Sequence, residues 1–305
     1  MELTKTDLSL NIGGFKLKNP IMMASGTYGY NNEYEDFLDV SEIGAILTKA
    51  ITLTPKKGNP HPRIKEVTNG MINSIGLENV GIYEFIESKL PILNDKNINF
   101  IVNIAGTSLE EYSEVAKICN DNGVKAIELN VSCPNVKEGC LEFGKDPIAL
   151  SKLIERVRSS FDGCIITKLS PNVSSPQEIA VICEKSGSDA ISAINTLKGM
   201  SVKPIISDGK LDFSFVKGGL SGNCIKPVAL SYIYEIKQVV NIPIIGMGGI
   251  SCLEDVLEFL AVGCSAIQIG TANFTHPNIA ETLINQLDKY LKENNINSFV
   301  DLIKE

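Results

Sequence analysis

The stretch Ala126-Ile-Glu-Leu-Asn-Val-Ser-Cys-Pro-Asn135 decides the fold. Its apolar residues make a short run of the kind found in strands buried on both faces. Successive side chains of a strand point to opposite sides, so Glu128, Asn130 and Ser132 share one face while Ile127, Leu129 and Val131 share the other. The apolar face predicts packing on helices, and the polar face predicts exposure at the mouth of a barrel.

Seven further runs of this kind occur, at residues 20–25, 45–50, 100–106, 165–170, 190–196, 243–250 and 266–272. Helix-start chemistry separates several of them. Thr107-Ser-Leu-Glu110, Ser175-Pro-Gln-Glu178 and Ser251-Cys-Leu-Glu254 each read as an N-cap with an acid three places on, and Asp146-Pro147 as a cap with proline in the first turn. Strand and helix alternating eight times predict an α/β fold, a (β/α)8 TIM barrel rather than an open doubly wound sheet. Ahead of the first strand, Leu8-Ser-Leu-Asn-Ile-Gly-Gly-Phe-Lys-Leu17 alternates around a Gly-Gly turn, which predicts a β-hairpin plugging the barrel bottom. No linker interrupts the chain. We expect one domain over 1–305, with long loops at 51–80, 133–146 and 197–226.

Composition narrows the function. The 305 residues carry a formal charge of −8 and are 44% hydrophobic. Only three cations are arginine (Arg63, Arg156 and Arg158), and no basic run offers a grip on phosphate backbones, so nucleic acid is not an expected partner. Met1 to Asp7 lacks an apolar leader segment and no window suits a membrane helix, so we expect a cytoplasmic protein without membrane contact. The eight cysteines (Cys119, Cys133, Cys140, Cys164, Cys183, Cys224, Cys252 and Cys264) form no C-x-x-C pair, and only His61 and His276 could join them, so no metal site is expected.

In this fold active sites are built at the C-terminal strand ends. Those ends are polar here: Lys49, Asn103, Asn130, Lys168 and Asn195-Thr196 close the second to sixth strands. One polar strand end is unremarkable, because strand ends meet solvent. Five together suggest a binding site, in which three amides suit a flat heterocycle with alternating C=O and N–H groups and two lysines meet an anion or electron density on a cofactor. The last two strands run into Gly246-Met-Gly-Gly249 and Gly270-Thr271, where barrels commonly hold phosphate on backbone N–H groups, with Gly218-Gly-Leu-Ser-Gly222 in the loop before them. Cys133 follows the fourth strand directly, beside a loop rich in glycine and charge. A thiol of ordinary pKa, about 8.5, supplies enough thiolate there to act as base or nucleophile.

These motifs, in this order, resemble the class 1 dihydroorotate dehydrogenases of pyrimidine synthesis over nearly the whole chain. The resemblance also rests on Asn19-Pro-Ile-Met-Met-Ala-Ser-Gly26, Gly58-Asn-Pro-His-Pro-Arg63, Met71-Ile-Asn-Ser-Ile-Gly-Leu77, Ala193-Ile-Asn-Thr-Leu197 and Ile269-Gly-Thr-Ala-Asn-Phe274. Residues 19–30, 70–77 and 218–222 look like the NAD-linked B type rather than the fumarate-linked A type. The resemblance implies FMN over the barrel mouth, oxidation of dihydroorotate to orotate, and Cys133 as the base that takes the C5 proton while the C6 hydride leaves for the flavin. It implies substrate contacts from Lys49, Asn73, Ser74, Ile75, Gly76, Leu77, Asn130, Asn195 and Thr196. FMN contacts would come from Ser25, Lys49, Ala50, Asn103, Asn130, Lys168, Ile194, Gly222, Gly248, Gly249, Gly270 and Thr271, with Lys168 offsetting charge delivered to the flavin. It further implies a partner subunit carrying FAD and a 2Fe–2S cluster, in a heterotetramer of two catalytic and two electron-transfer chains passing electrons to NAD. The present chain agrees in having neither a cluster motif nor G-x-G-x-x-G. Cys140 stands where the family more often has glycine.

The residues leave other readings open: a related flavin dihydropyrimidine dehydrogenase, a fumarate-linked dihydroorotate dehydrogenase, a barrel that binds without catalysis, and an aldolase-type barrel with a Schiff base on Lys49 or Lys168.

Overall fold

The computed structural model describes residues 6–30, 40–95, 98–132, 134–135, 141–207 and 210–303. Eight parallel strands close a barrel: β1 (Ile21–Met23), β2 (Ala45–Leu47), β3 (Phe100–Ile104), β4 (Ala126–Asn130), β5 (Cys164–Lys168), β6 (Ala190–Ala193), β7 (Ile244–Met247) and β8 (Ala266–Ile269). Gln268 opposite Met22 completes the ring. Branched residues such as Ile127, Leu129, Ile165 and Ile267 are fully buried, as two-sided packing requires.

The outer layer includes α1 (Leu109–Asp121), α2 (Pro147–Arg158), α3 (Pro176–Lys185), α4 (Lys226–Lys237), α5 (Leu253–Ala261) and α6 (Ile279–Glu293), with shorter helical turns over 82–95 between β2 and β3. Asp146 caps α2 as expected, accepting from the N–H groups of Ile148 and Ala149, whereas Ser175 stands at the N-cap position of α3 without a side-chain capping hydrogen bond. The caps of α1 and α5 sit one residue later than expected, at Ser108 and Cys252. Two adjacent acids follow each start, and it is the second that reaches back: Glu111 accepts from the Thr107 N–H at 2.6 Å and Asp255 from the Cys252 N–H at 3.1 Å. No helix among the described residues is long and apolar enough to cross a membrane.

The N-terminal hairpin forms as expected, Leu10–Ile12 against Phe15–Leu17, with Gly13 and Gly14 at positive φ. Its four outer apolar residues are buried, and the Cys164 thiol at the start of β5 donates to the Ile12 carbonyl at 3.4 Å. The hairpin therefore closes the N-terminal end of the barrel.

The expected loops at 51–80 and 197–226 are corrected by the structure. Most of 197–226, together with two short strands from 51–80, forms a four-stranded antiparallel sheet at the opposite end, built from Ile64–Val67, Gly70–Asn73, Leu197–Ser207 and Lys210–Ser221. The two long strands are mainly solvent-exposed, so no buried face imposes the period-two alternation by which strands are recognised. Gly218 is required there, because a Cβ would overlap the Asn73 carbonyl. In the third expected loop, 133–146, Pro134–Asn135 pairs with Leu141–Glu142.

Candidate active site

The C-terminal strand ends and the sheet above them enclose a cleft of about 340 Å³. Its two ends differ in chemistry.

At one end Asn130, Lys168, Asn195 and Thr196 come off β4, β5 and β6, Lys49 follows β2, and Asn73 descends from the sheet. The amides are oriented by one another. The Asn195 amide nitrogen donates to Asn130 Oδ1 at 3.3 Å and to Ser132 Oγ at 3.0 Å, while Asn195 Oδ1 accepts the Thr196 N–H at 2.8 Å. Asn73 donates to the Gly219 carbonyl at 3.1 Å. Lys49 Nζ stands 3.5 Å from Glu78, which also meets Arg63 at 2.9 Å. The Arg63 hydrogen bond, aided by the Lys49 charge, holds the exposed Glu78 carboxyl below the usual range.

The segment from Asn73 to Leu77 is pinned from outside. Asn59 donates through Nδ2 to the Ser74 carbonyl at 3.1 Å and to its hydroxyl at 3.0 Å, and its own N–H reaches the Ile75 carbonyl at 2.9 Å. Gly76, at φ +75°, lies so near Asn59 that a Cβ would come within 2.6 Å of Oδ1. Ile75 and Leu77 line the cleft, whereas Ser74 and Gly76 sit behind that lining.

At the other end the walls are backbone. Gly222, Gly248 and Gly249 have φ of +99°, +125° and +88°, and with Gly270 and Thr271 they line the cleft, joined by Ser25, Ala50 and Ile194 along its length. Thr271 Oγ1 donates to Ser221 Oγ at 2.8 Å, tying the sheet to the turn after β8. Among the described residues, the N–H groups of Gly248, Gly249 and Ile250 have no hydrogen-bond acceptor. The neighbouring Lys226 is committed to Asp255 at 2.6 Å and Glu258 at 2.7 Å. This end can therefore take an anion on backbone donors.

Asn103 does not line the cleft. It is fully buried below it and donates to Glu128 Oε1 at 2.6 Å. Glu128 lies on the interior face expected for it but is fully buried below the mouth, a correction to the exposure expected there, and it also accepts from Ser192 Oγ at 2.7 Å and Gln268 Nε2 at 2.9 Å. The strand alternation that placed Glu128 with Asn130 would equally have flagged Ser192 and Gln268, each inside an apolar run. Cys133 and Cys140 lie outside the described residues; the hydroxyl of Ser132, next to Cys133, is held by Asn195 at the cleft wall.

The profile of the family described as dihydroorotate dehydrogenase matches residues 7–291. The chain belongs to the dihydroorotate dehydrogenase family. It is 47% identical to the dihydroorotate dehydrogenase B (NAD(+)) catalytic subunit of Geotalea uraniireducens, over 98% of both chains. The proteins of the same name from Thermoanaerobacter pseudethanolicus and Bacteroides thetaiotaomicron are 45% and 43% identical, each over 97% of this chain and 98% of the relative. Membership in this dehydrogenase family implies FMN, and the cleft fits it. The unpartnered N–H groups at the positive-φ glycines suit the phosphate, and the amides and lysines of the polar end suit a flat ring with C=O and N–H groups.

Proposed function

We propose that this chain is the catalytic subunit of an NAD-linked dihydroorotate dehydrogenase, oxidising (S)-dihydroorotate to orotate in pyrimidine synthesis. The observation that carries the reading is that one cleft joins an anion-accepting glycine end to an end of ordered amides and a lysine. Lys49 neutralises the substrate carboxylate, and Asn73, Asn130, Asn195 and Thr196 match the ring's C=O and N–H groups. Ser74 to Leu77, clamped by Asn59, close over the substrate and exclude water. Cys133, as thiolate, takes the C5 proton. FMN, when bound, supplies the two-electron acceptor for the C6 hydride. Ser25, Ala50, Ile194, Gly222, Gly248, Gly249, Gly270 and Thr271 hold it, Asn103 acts from beneath through Glu128, and Lys168 offsets the negative charge that arrives.

Electrons leave through a separate subunit carrying FAD and a 2Fe–2S cluster, in a two-plus-two heterotetramer of the cytoplasm. The catalytic-subunit name of the relatives supports a separate partner subunit. Anaerobic mixing of FMN-loaded protein with dihydroorotate is expected to bleach the flavin. Cys133→Ala should retain FMN yet lose most of that reduction. Protein that takes up no FMN overturns the flavin reading, and an unchanged rate in the variant overturns the base.

A further inference from the structure

The interior of a (β/α)8 barrel is ordinarily filled by branched apolar side chains. Here one interior layer is charged and polar. Glu128 of β4 is fully buried, and four other strands supply its partners: Asn103 of β3 at 2.6 Å, Ser192 of β6 at 2.7 Å, Gln268 of β8 at 2.9 Å, and Lys168 of β5 at 3.5 Å. Both carboxylate oxygens are approached by donors, an arrangement that suits an acceptor-only carboxylate. Two amides have turned their nitrogens towards it, leaving Asn103 Oδ1 and Gln268 Oε1 buried without a partner among the described residues. Replacing such a buried ionic layer with well-packed apolar residues is often neutral or stabilising, so stability alone is a poor reason for it.

Lys168 connects this layer to the site. Its side chain is 8% exposed, lines the cleft, and has Glu128 as its carboxylate partner among the described residues. A lysine that faced the cofactor alone would present a full positive charge in a poorly solvated place. Paired with Glu128, it presents half of a neutral couple, and its ammonium is fixed by a carboxylate that three further strands hold still.

We propose that Glu128 is a positioning residue for the oxidation: it fixes Lys168 and counterbalances its charge, thereby setting how readily the bound flavin accepts two electrons. The inference rests on the flavin reading of the cleft. Glu128 touches neither substrate nor cofactor, and acts through Lys168 and through its own charge.

Charge bookkeeping gives opposite signs for the two single variants. Glu128→Gln removes a buried negative charge and favours the reduced flavin. The glutamine keeps the shape, and the two unpartnered amide oxygens are available to accept from its new NH2 group. Lys168→Gln removes the positive charge and disfavours reduction. The double variant restores neutrality.

The test is the midpoint potential of FMN-loaded wild type, both single variants and the double, measured by anaerobic dye equilibration. Expected is about a tenfold shift of the reduction equilibrium towards reduced flavin in E128Q, about 30 mV for a two-electron couple. A shift of the other sign is expected in K168Q, with a return towards the wild-type value in E128Q/K168Q. A merely structural layer would weaken FMN binding without opposite, cancelling shifts. An E128Q potential that is unmoved or lower, or a double variant that stays at the K168Q value, overturns the proposal. If E128Q alone does not fold, the double decides: recovery of folded, FMN-loaded protein near the wild-type potential supports the pairing, and failure of the double to fold overturns it. Wild-type protein that binds no FMN refutes the flavin reading itself, an outcome separate from variants that load FMN with unmoved potentials.

Discussion

Gly249→Ala tests the anion end of the cleft most sharply. Gly249 sits at φ +88°, and an added Cβ would stand 2.8 Å from Lys226 Cβ and 3.1 Å from the Gly222 carbonyl oxygen, well inside ordinary contact. Lys226 cannot yield easily, since it opens α4 and its ammonium is held by Asp255 and Glu258. The backbone of residues 248–250 must move instead, and the N–H donors move with it. The left-handed conformation of a residue with a Cβ costs about 1–2 kcal/mol, a cost carried by free and FMN-bound protein alike; what affinity loses is the displaced hydrogen bond to a charged group, about 1.5–3 kcal/mol. That corresponds to roughly a ten- to hundredfold loss of FMN affinity. Riboflavin, which lacks the phosphate, shares the ring contacts alone and should bind the variant within a few-fold of wild type. Titration of apoprotein with each flavin, followed by fluorescence quenching, measures both constants. Wild-type FMN affinity in the variant, or an equal loss for FMN and riboflavin, refutes phosphate binding at this turn.

Two further outcomes follow from other parts of the molecule. Asn59→Ala removes two donations to Ser74, of about 1 kcal/mol each at most given their exposure, so KM for dihydroorotate should rise up to about thirtyfold with FMN content unchanged; steady-state kinetics that show a fall in FMN content instead contradict the assignment of this segment to substrate. Burial pushes the Cys119 thiol up to about 12. Between pH 9 and 12 the unfolded chain therefore loses a proton that the folded one keeps, and stability falls as pH rises, by about 1.4 kcal/mol per unit for such a thiol. Denaturant unfolding at pH 8 to 10.5 should show a shallower decline for Cys119→Ala, and an identical slope contradicts it.

The barrel was legible because each strand is buried on both faces, so a run such as Ile127, Leu129 and Val131 is visible in the residues themselves. The polar strand ends Asn130, Lys168 and Asn195 were legible for the same reason, standing out against apolar neighbours. The sheet above the cleft was hidden, because Leu197–Ser207 and Lys210–Ser221 face solvent for most of their length and carry no buried stripe. Asn59 was hidden too: its work depends on a clamp across fifteen residues to Ser74, which spacing alone does not announce. The position of Asn103 beneath the cleft depended on Glu128 turning inwards, and alternation assigns a side chain to a face without fixing its depth along the barrel.

That same sheet makes the two ends of the cleft thermodynamic neighbours. Asn73, which opens the segment we propose for substrate, is paired with Gly219, three residues before Gly222 at the proposed cofactor end. Whatever factor bound cofactor lends to orotate affinity through this ladder, orotate must return to the cofactor in equal measure. Where that factor is favourable, product in the site keeps the flavin bound, and dialysis against orotate is then the condition under which the holoprotein should best retain its colour.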